Sequence, residues 1–200
     1  MIGEALAFLL SEVNRYLNSR LGPSTADRVV LGNIARLSDS DGSNTNIVGS
    51  SGLAMLTLVN IEEDKVSRSP ENFRRVADRI VYRNPKISLN LYALFSGHAT
   101  TYSTALDVIS YIIQCFQFQR TFQPSLYPAL DSRIEQLSLD LFTLNFEQIN
   151  HLWSTIGGKY FPSALYKVRL VTIEDQTNYA NGEPIREIII SEKPIETLTP

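Results

Sequence analysis

Residues 152–173 read LWSTIGGKYFPSALYKVRLVTI. A helix end, a reversal and a strand follow one another in this run. Just upstream, Asn145 stands where a helix N-cap belongs, with Gln148 three residues later to reach back to it, which predicts a helix over 146–156. Phe146, Ile149, Leu152, Trp153 and Ile156 form its expected buried side. Gly157 supplies the left-handed residue that closes it. From 163 to 173 the residues alternate, with Tyr166, Val168 and Leu170 inward and Lys167 and Arg169 outward, as in a half-buried strand.

The Gly157-Gly158-Lys159 triplet invites a phosphate-loop reading, which fails on spacing and on order. A phosphate loop needs Gly at 153 and Ser or Thr at 160, and the chain has Trp153 and Tyr160. It also runs from strand into helix N-terminus, whereas these glycines come after a helix, whose carbonyl end repels phosphate.

Working outward, residues 133–142 alternate with Leu137, Leu139 and Leu141 on one face. Residues 101–118 predict the clearest helix, with Tyr102, Leu106, Ile109, Ile113 and Phe116 as a stripe that Ile112 widens. Residues 86–95 form a strand with Ile87, Leu89, Leu91, Ala93 and Phe95 facing one way. Residues 53–61 are apolar on both faces and predict a central strand. Residues 28–37 read as another strand, and 2–21 as an amphipathic helix stopped by Gly22-Pro23. Between them lie a Gly- and Ser-rich loop, 38–52, and an Arg-rich stretch, 65–84, where Ser69-Pro70-Glu71 fits a short helix start. The fold expected is α+β: about five strands in a twisted, mostly antiparallel sheet flanked by two or three helices. The expected division is a domain over 1–174 and a tail over 175–200, where REIII at 186–190 has strand character.

The bulk numbers restrict the function. A net charge of −3 and pI near 5.4 argue against nucleic acid as a partner. The single Cys115 excludes an internal disulfide framework and fits a reducing compartment. No apolar run is long enough to span a bilayer, and the start, with Glu4 and no basic segment, argues against a signal peptide.

Catalytic patterns are sparse. Adjacent Glu62, Glu63 and Asp64 on a strand point to opposite faces, a poor acid–base pair. His98 and His151 are the only histidines and have no metal-ligand spacing. Cys115 in an apolar helix reads as a small core residue with a raised pKa. The Arg68–Lys86 basic run is either a solvated loop or a surface for an acidic protein. A chain rich in packing side chains and poor in reactive constellations favours an assembly role over an enzyme. A hydrolase using Glu62 or His98 remains as the contrasting reading.

Several segments carry a resemblance: LTLVNIEED at 56–64, NPKISLNLYALFS at 84–96, Tyr102 with its helix and Phe116-Gln117, and above all LWSTIGGKYFPSALYKVRLV at 152–171. Together they resemble the N-terminal domain of the cap, or tail-terminator, protein of contractile injection systems, over most of 1–174. The resemblance implies a fold similar to phage tail terminators and no cofactor, metal or reaction. It implies a homohexameric ring at the tail end distal to the baseplate, which stops growth of inner tube and sheath and couples their last layers. Partners are then the chain itself, the tube protein and the sheath protein, with no nucleic acid or membrane contact. Assembly is expected in the bacterial cytoplasm, into a particle either released or membrane-anchored. Some relatives carry a further C-terminal domain, whose function is expected to be absent here. A baseplate or adaptor component of the same particle is the alternative.

On that reading the interface falls on Trp153, Gly157, Gly158, Lys159, Tyr160, Pro162, Tyr166, Lys167 and Arg169, with Ile188, Ile189 and Ile190 pairing as a strand within the ring or with sheath. Trp153 and Tyr166 also fit the core, Trp153 because it shares a face with Ile149 and Ile156. Tyr160 stands open between the two places.

Overall fold

The structure, a computed structural model, describes residues 1–37, 52–64, 73–76, 79–82, 87–157, 159–173 and 180–182. The chain divides into two compact units: Met1–Arg68 with Lys86–Glu174, and Ser69–Pro85 with Asp175–Pro200.

The first unit is built on a six-stranded sheet. Its strands are β1 (Val29–Leu31), β2 (Ala54–Glu63), β5 (Ile87–Gly97), β6 (Thr121–Phe122), β7 (Gln136–Leu141) and β8 (Ser163–Ile173), in the order β1-β2-β5-β8-β7-β6. Every pairing is antiparallel except β1–β2, where Val29 lies opposite Ala54 in parallel register. Three helices complete the unit: α1 (Ile2–Leu21), α2 (Tyr102–Phe118) and α3 (Phe146–Ile156). The α+β class and the mostly antiparallel sheet read from the sequence are borne out.

The helices divide between the two faces of the sheet. On one face, Leu6, Leu9, Val13 and Leu17 of α1 and Val108, Ile112 and Phe116 of α2 pack with Leu91, Ala93 and Phe95 of β5 and Tyr166, Val168 and Leu170 of β8. On the other face, Trp153 of α3 and Ile34 pack with Met55 of β2, Leu94 of β5 and Leu165 of β8. A strand between two such layers must be apolar on both sides, which is why 53–61 reads as apolar on both faces. Each fully buried Leu or Phe contributes roughly 1.5–3 kcal/mol relative to exposure.

Two polar side chains tie the short β1 in place. Asn14, buried in α1, donates from Nδ2 to the Val29 carbonyl at 2.8 Å. Its Oδ1 accepts from the amides of Arg28 and Val29, both at 2.9 Å. Thr57 Oγ1 donates to the Gly32 carbonyl at 2.8 Å and accepts from the Ile34 amide at 3.1 Å. Where the sequence predicts one strand over 28–37, the chain therefore leaves β1 after Leu31 and closes a 3-10 turn over Ile34–Leu37.

The stripe of α2 is rotated from the expected one. Ala105, Val108, Ile109, Ile112, Cys115 and Phe116 are buried, while Tyr102 and Leu106 are 65% and 43% exposed. Two contacts cause this: α2 packs on α1 as well as on the sheet, and Ala105 sits against Gly97, where an added Cβ would stand 2.9 Å from the Ala105 carbonyl oxygen. Small side chains set the close approach, and the larger ones turn outward.

In the second unit, β3 (Phe73–Val76) and β4 (Arg79–Tyr82) form an antiparallel hairpin, and β9 (Ala180–Gly182) pairs with β4. The helix start expected at Ser69-Pro70-Glu71 lies outside the described residues, and Phe73–Val76 just beyond it is a strand. The expected strand at 186–190 lies outside the described residues too.

Candidate protein interface

The predicted capping box is present. Asn145 Oδ1 accepts from the Gln148 amide at 2.8 Å, and Gln148 Oε1 accepts from the Asn145 amide at 3.0 Å. At the other end Gly157 has φ 125° and donates its amide to the Trp153 carbonyl at 3.1 Å. A side chain at that φ is strained, so Gly fits where Val does not. Helix α3 thus begins and ends where the sequence placed it, and the reversal delivers Lys159 and Tyr160 to the surface.

The site residues separate by depth. Trp153 is 5% exposed, in the core with Met55, Leu94 and Leu165. Tyr166 is 3% exposed and meets Phe116 at 5.0 Å and Phe95 at 5.9 Å between ring centroids. Pro162 is buried, and its carbonyl accepts from the Gly97 amide at 2.8 Å. Tyr160 is 63% exposed and stands edge-on to Trp153. Lys159 and Gly157 are exposed. Gly158, Ile188, Ile189 and Ile190 lie outside the described residues.

On the predicted buried side of α3, only Trp153 is fully enclosed, and Ile149, Leu152 and Ile156 are half-buried against it. Phe146, the first residue of the helix, is 92% exposed. Leu141, at the end of β7, is exposed where Leu137 and Leu139 are buried. Leu141, Phe142 and Tyr160 ring a cavity of about 240 Å³ whose floor is Leu94, Ile149, Leu152, Trp153 and Leu165.

Lys167 and Arg169 point to the face opposite Tyr166 and Val168, as their alternation predicts. Both meet groups of this chain. Arg169 Nε lies 3.8 Å from Asp64 Oδ2, and Lys167 Nζ lies 5.9 Å from the centre of the Tyr92 ring. The Tyr92 hydroxyl donates to Glu62 Oε2 at 2.7 Å, which raises the Tyr92 pKa, through that bond first and then through burial. Glu62 is thereby engaged as an acceptor in a surface network of Glu62, Tyr92, Lys167 and Phe142, whose ring meets Tyr92 edge-on at 5.3 Å. Sequence reasoning did not find this network: Tyr92 was legible only as a strand residue, since cross-strand register is needed to bring it beside Glu62.

Cys115 is buried, and desolvation, with Glu12 adding, pushes its thiol up to about 11. That is an inert core thiol. Among the described residues, no group of three or more His, Cys, Asp or Glu side chains is placed to hold a metal, and no helix is long and apolar enough to cross a membrane. What the site offers is shape: a rigid helix end, an exposed aromatic over a shallow apolar cavity, and a charged strand face beside it.

No curated protein matches the chain. Solved structures do. The sheath/tube terminator of an extracellular contractile injection system, PVC, in its extended state, is similar over 95% of this chain and 65% of that one, at TM-score 0.54 and 15% identity. The tube terminating cap of the anti-feeding prophage is similar over 72% of this chain and 50% of that one, at TM-score 0.50 and 14% identity. This chain spans less than two thirds of either, and at such identities the likeness shows a shared fold. The model of the Pvc16 N-terminal domain matches residues 4–187. The resemblance carried by 152–171 is thus borne out, and the chain belongs to the Pvc16 N-terminal domain family.

Proposed function

We propose that this chain is a structural terminator of a contractile injection particle. Six copies close a ring on the last layer of inner tube and sheath, couple the two, and block further addition. The observation that carries this reading is membership of the Pvc16 N-terminal domain family, together with a fold shared with a protein described as a sheath/tube terminator and one described as a tube terminating cap. The mechanism is geometric, with no reaction. Ring closure needs a heterologous interface, one patch meeting a different patch on the next copy at a rotation that closes. Tyr160, Lys159, Lys167 and Arg169 are the site residues with exposed or half-exposed side chains to offer, and Trp153 and Tyr166 act from below by fixing α3 and β8. A Tyr over an apolar cavity, next to charges, is a combination enriched at interface cores and rims.

Light scattering on the purified chain, followed by electron microscopy of the same sample, tests the ring. A mass near six times 22.5 kDa, with six-fold particles, is the expected result, in isolation or after addition of tube ends. A monomer that stays monomeric on tube and sheath ends contradicts it.

A further inference from the structure

The cavity beside α3 has an aromatic ring on either side of its mouth, and each ring rests on another. Tyr160 stands edge-on to Trp153, which is locked in the core. Phe142, 37% exposed, stands edge-on to Tyr92 with centroids 5.3 Å apart. Tyr92 is only half-buried: its ring packs against the cluster under α3 and its hydroxyl reaches the surface. The Phe142 side is therefore as firm as the hold on Tyr92.

That hold comes from the neighbouring strands. The Tyr92 hydroxyl donates to Glu62 Oε2 at 2.7 Å, and Lys167 Nζ lies 5.9 Å from the ring centre. Glu62 reaches Tyr92 because of a break in the ladder. From Ala54 to Leu58, β2 pairs with β5 in one register. After Leu58 it shifts by one residue, so that Asn60 lies opposite Tyr92 and Glu62 opposite Asn90. Had the first register continued, Val59 would lie opposite Tyr92 and Ile61 opposite Asn90, with Glu62 on the other side of the sheet. The shift brings Glu62 onto the Tyr92 face, diagonal to it across the strands. It also sends Ile61 to the opposite face, where it is 48% exposed. A bulge that leaves an isoleucine in water and re-aims a carboxylate is a built feature rather than a defect.

We propose that Glu62 is a positioning residue for the cavity: bound to Tyr92, it holds Phe142 at the rim, and so sets the opening that a neighbouring copy meets in the ring. The inference rests on the reading of the Tyr160 surface as an interface between copies. The Phe142 backbone is already tied, its amide donating to the Leu165 carbonyl at 2.8 Å, so side-chain rotation is the freedom left to it. The Tyr92 edge removes that freedom only while Tyr92 is itself held. A carboxylate acceptor makes the stronger kind of hydrogen bond for this purpose. A rim fixed before contact spares the cost of ordering it on association.

The test uses the full chain with isotope-labelled methyl groups, as Glu62→Ala, Glu62→Gln and Tyr92→Phe. Leu94, Leu152 and Leu165 line the cavity with Phe142, and their methyl resonances report its ring current. These resonances are expected to move in Glu62→Ala and Tyr92→Phe. They are expected to return in Glu62→Gln, whose amide oxygen still accepts from Tyr92. Glu62 is on the surface and Phe keeps the Tyr92 ring, so neither change threatens the fold. Light scattering on the same variants, with tube ends present, is expected to show one copy-to-copy contact weakened about two- to tenfold in Glu62→Ala and Tyr92→Phe, the span set by ordering one side chain. Glu62→Gln is expected to match the parent chain. Unmoved methyl resonances overturn the proposal whether or not rings form. Moved resonances with unchanged assembly overturn it too, and leave the ring standing. A parent chain that forms no ring removes the reading on which the proposal rests, and that failure is seen in the parent rather than in the variants.

Discussion

The rings of Trp153 and Tyr160 meet edge to face, with centroids 5.7 Å apart and planes at 67°, while one is 5% exposed and the other 63%. The pair joins the core under α3 to the surface above it. Trp153→Ala is expected to cost about 3–5 kcal/mol of stability by opening a cavity against Met55, Leu94 and Leu165. Tyr160→Ala is expected to cost no more than about 1 kcal/mol, because most of its ring is already in water. Urea denaturation of both variants separates the two roles. If Tyr160 tops a partner contact, its variant folds normally and loses attachment to particles.

The two ends of α3 are expected to differ in kind. Asn145→Ala removes one half of the capping box and costs about 1 kcal/mol. Gly157→Val forces a β-branched residue to a φ of 125° and is expected to cost on the order of 1–3 kcal/mol. Gly157→Asn is expected to recover part of that loss, since Asn tolerates positive φ better than Val. Equal melting curves for the Val and Asn variants would remove the backbone explanation.

Alkaline pH probes the core beneath α2. The Cys115 thiol is raised from 9.0 to about 11 in the folded chain. Between those values the unfolded state ionises and the folded state does not, so unfolding releases a proton and stability falls as pH rises. Below pH 9 both states keep the proton and the contribution is fully present. Tyr166, raised from 10.0 to about 12, extends the decline upward. Cys115→Ala is expected to flatten the lower part of this profile, between pH 9 and 11, and to leave the upper part. Thiol reagents at pH 8 are expected to label the native chain far more slowly than the chain in urea.

The C-terminal segment separates two readings of the tail. Truncation after Gly182 keeps the β9 strand, which pairs with β4, and removes Ile188, Ile189 and Ile190. If these residues pair within the ring or with sheath, the truncated chain folds but loses ring mass or sheath attachment. Unchanged mass and attachment would exclude that pairing.

What was legible in the sequence was what local chemistry dictates. Asn145, Gln148 and Gly157 announce α3 because each satisfies a helix terminus within three or four residues of itself. The run at 53–61 announces a central strand because its first half is covered on both faces, and 86–95 and 163–173 announce strands by the alternation of their apolar residues. The rest depends on partners far along the chain. Nothing near Val29 shows that it pairs in parallel with Ala54, or that Asn14 would hold it there. The rotation of α2 arises from Ala105 meeting Gly97, a contact between two small residues with no hydrophobic signal. The β3–β4 hairpin was hidden by arginines, which interrupt an apolar pattern without preventing a strand. At the site, the reversal was legible, but depth was not: Trp153, Tyr160 and Tyr166 are alike as residue types, and only packing sorts them.

The central claim is termination, and the most direct measurement is the length of assembled tails by electron microscopy, in particles made with and without this chain. With it, tails of uniform length are expected, with a label on the chain at the end distal to the baseplate. Without it, tube and sheath are expected to overgrow to varied lengths with open ends. Tails of normal length and intact ends in its absence would contradict the account.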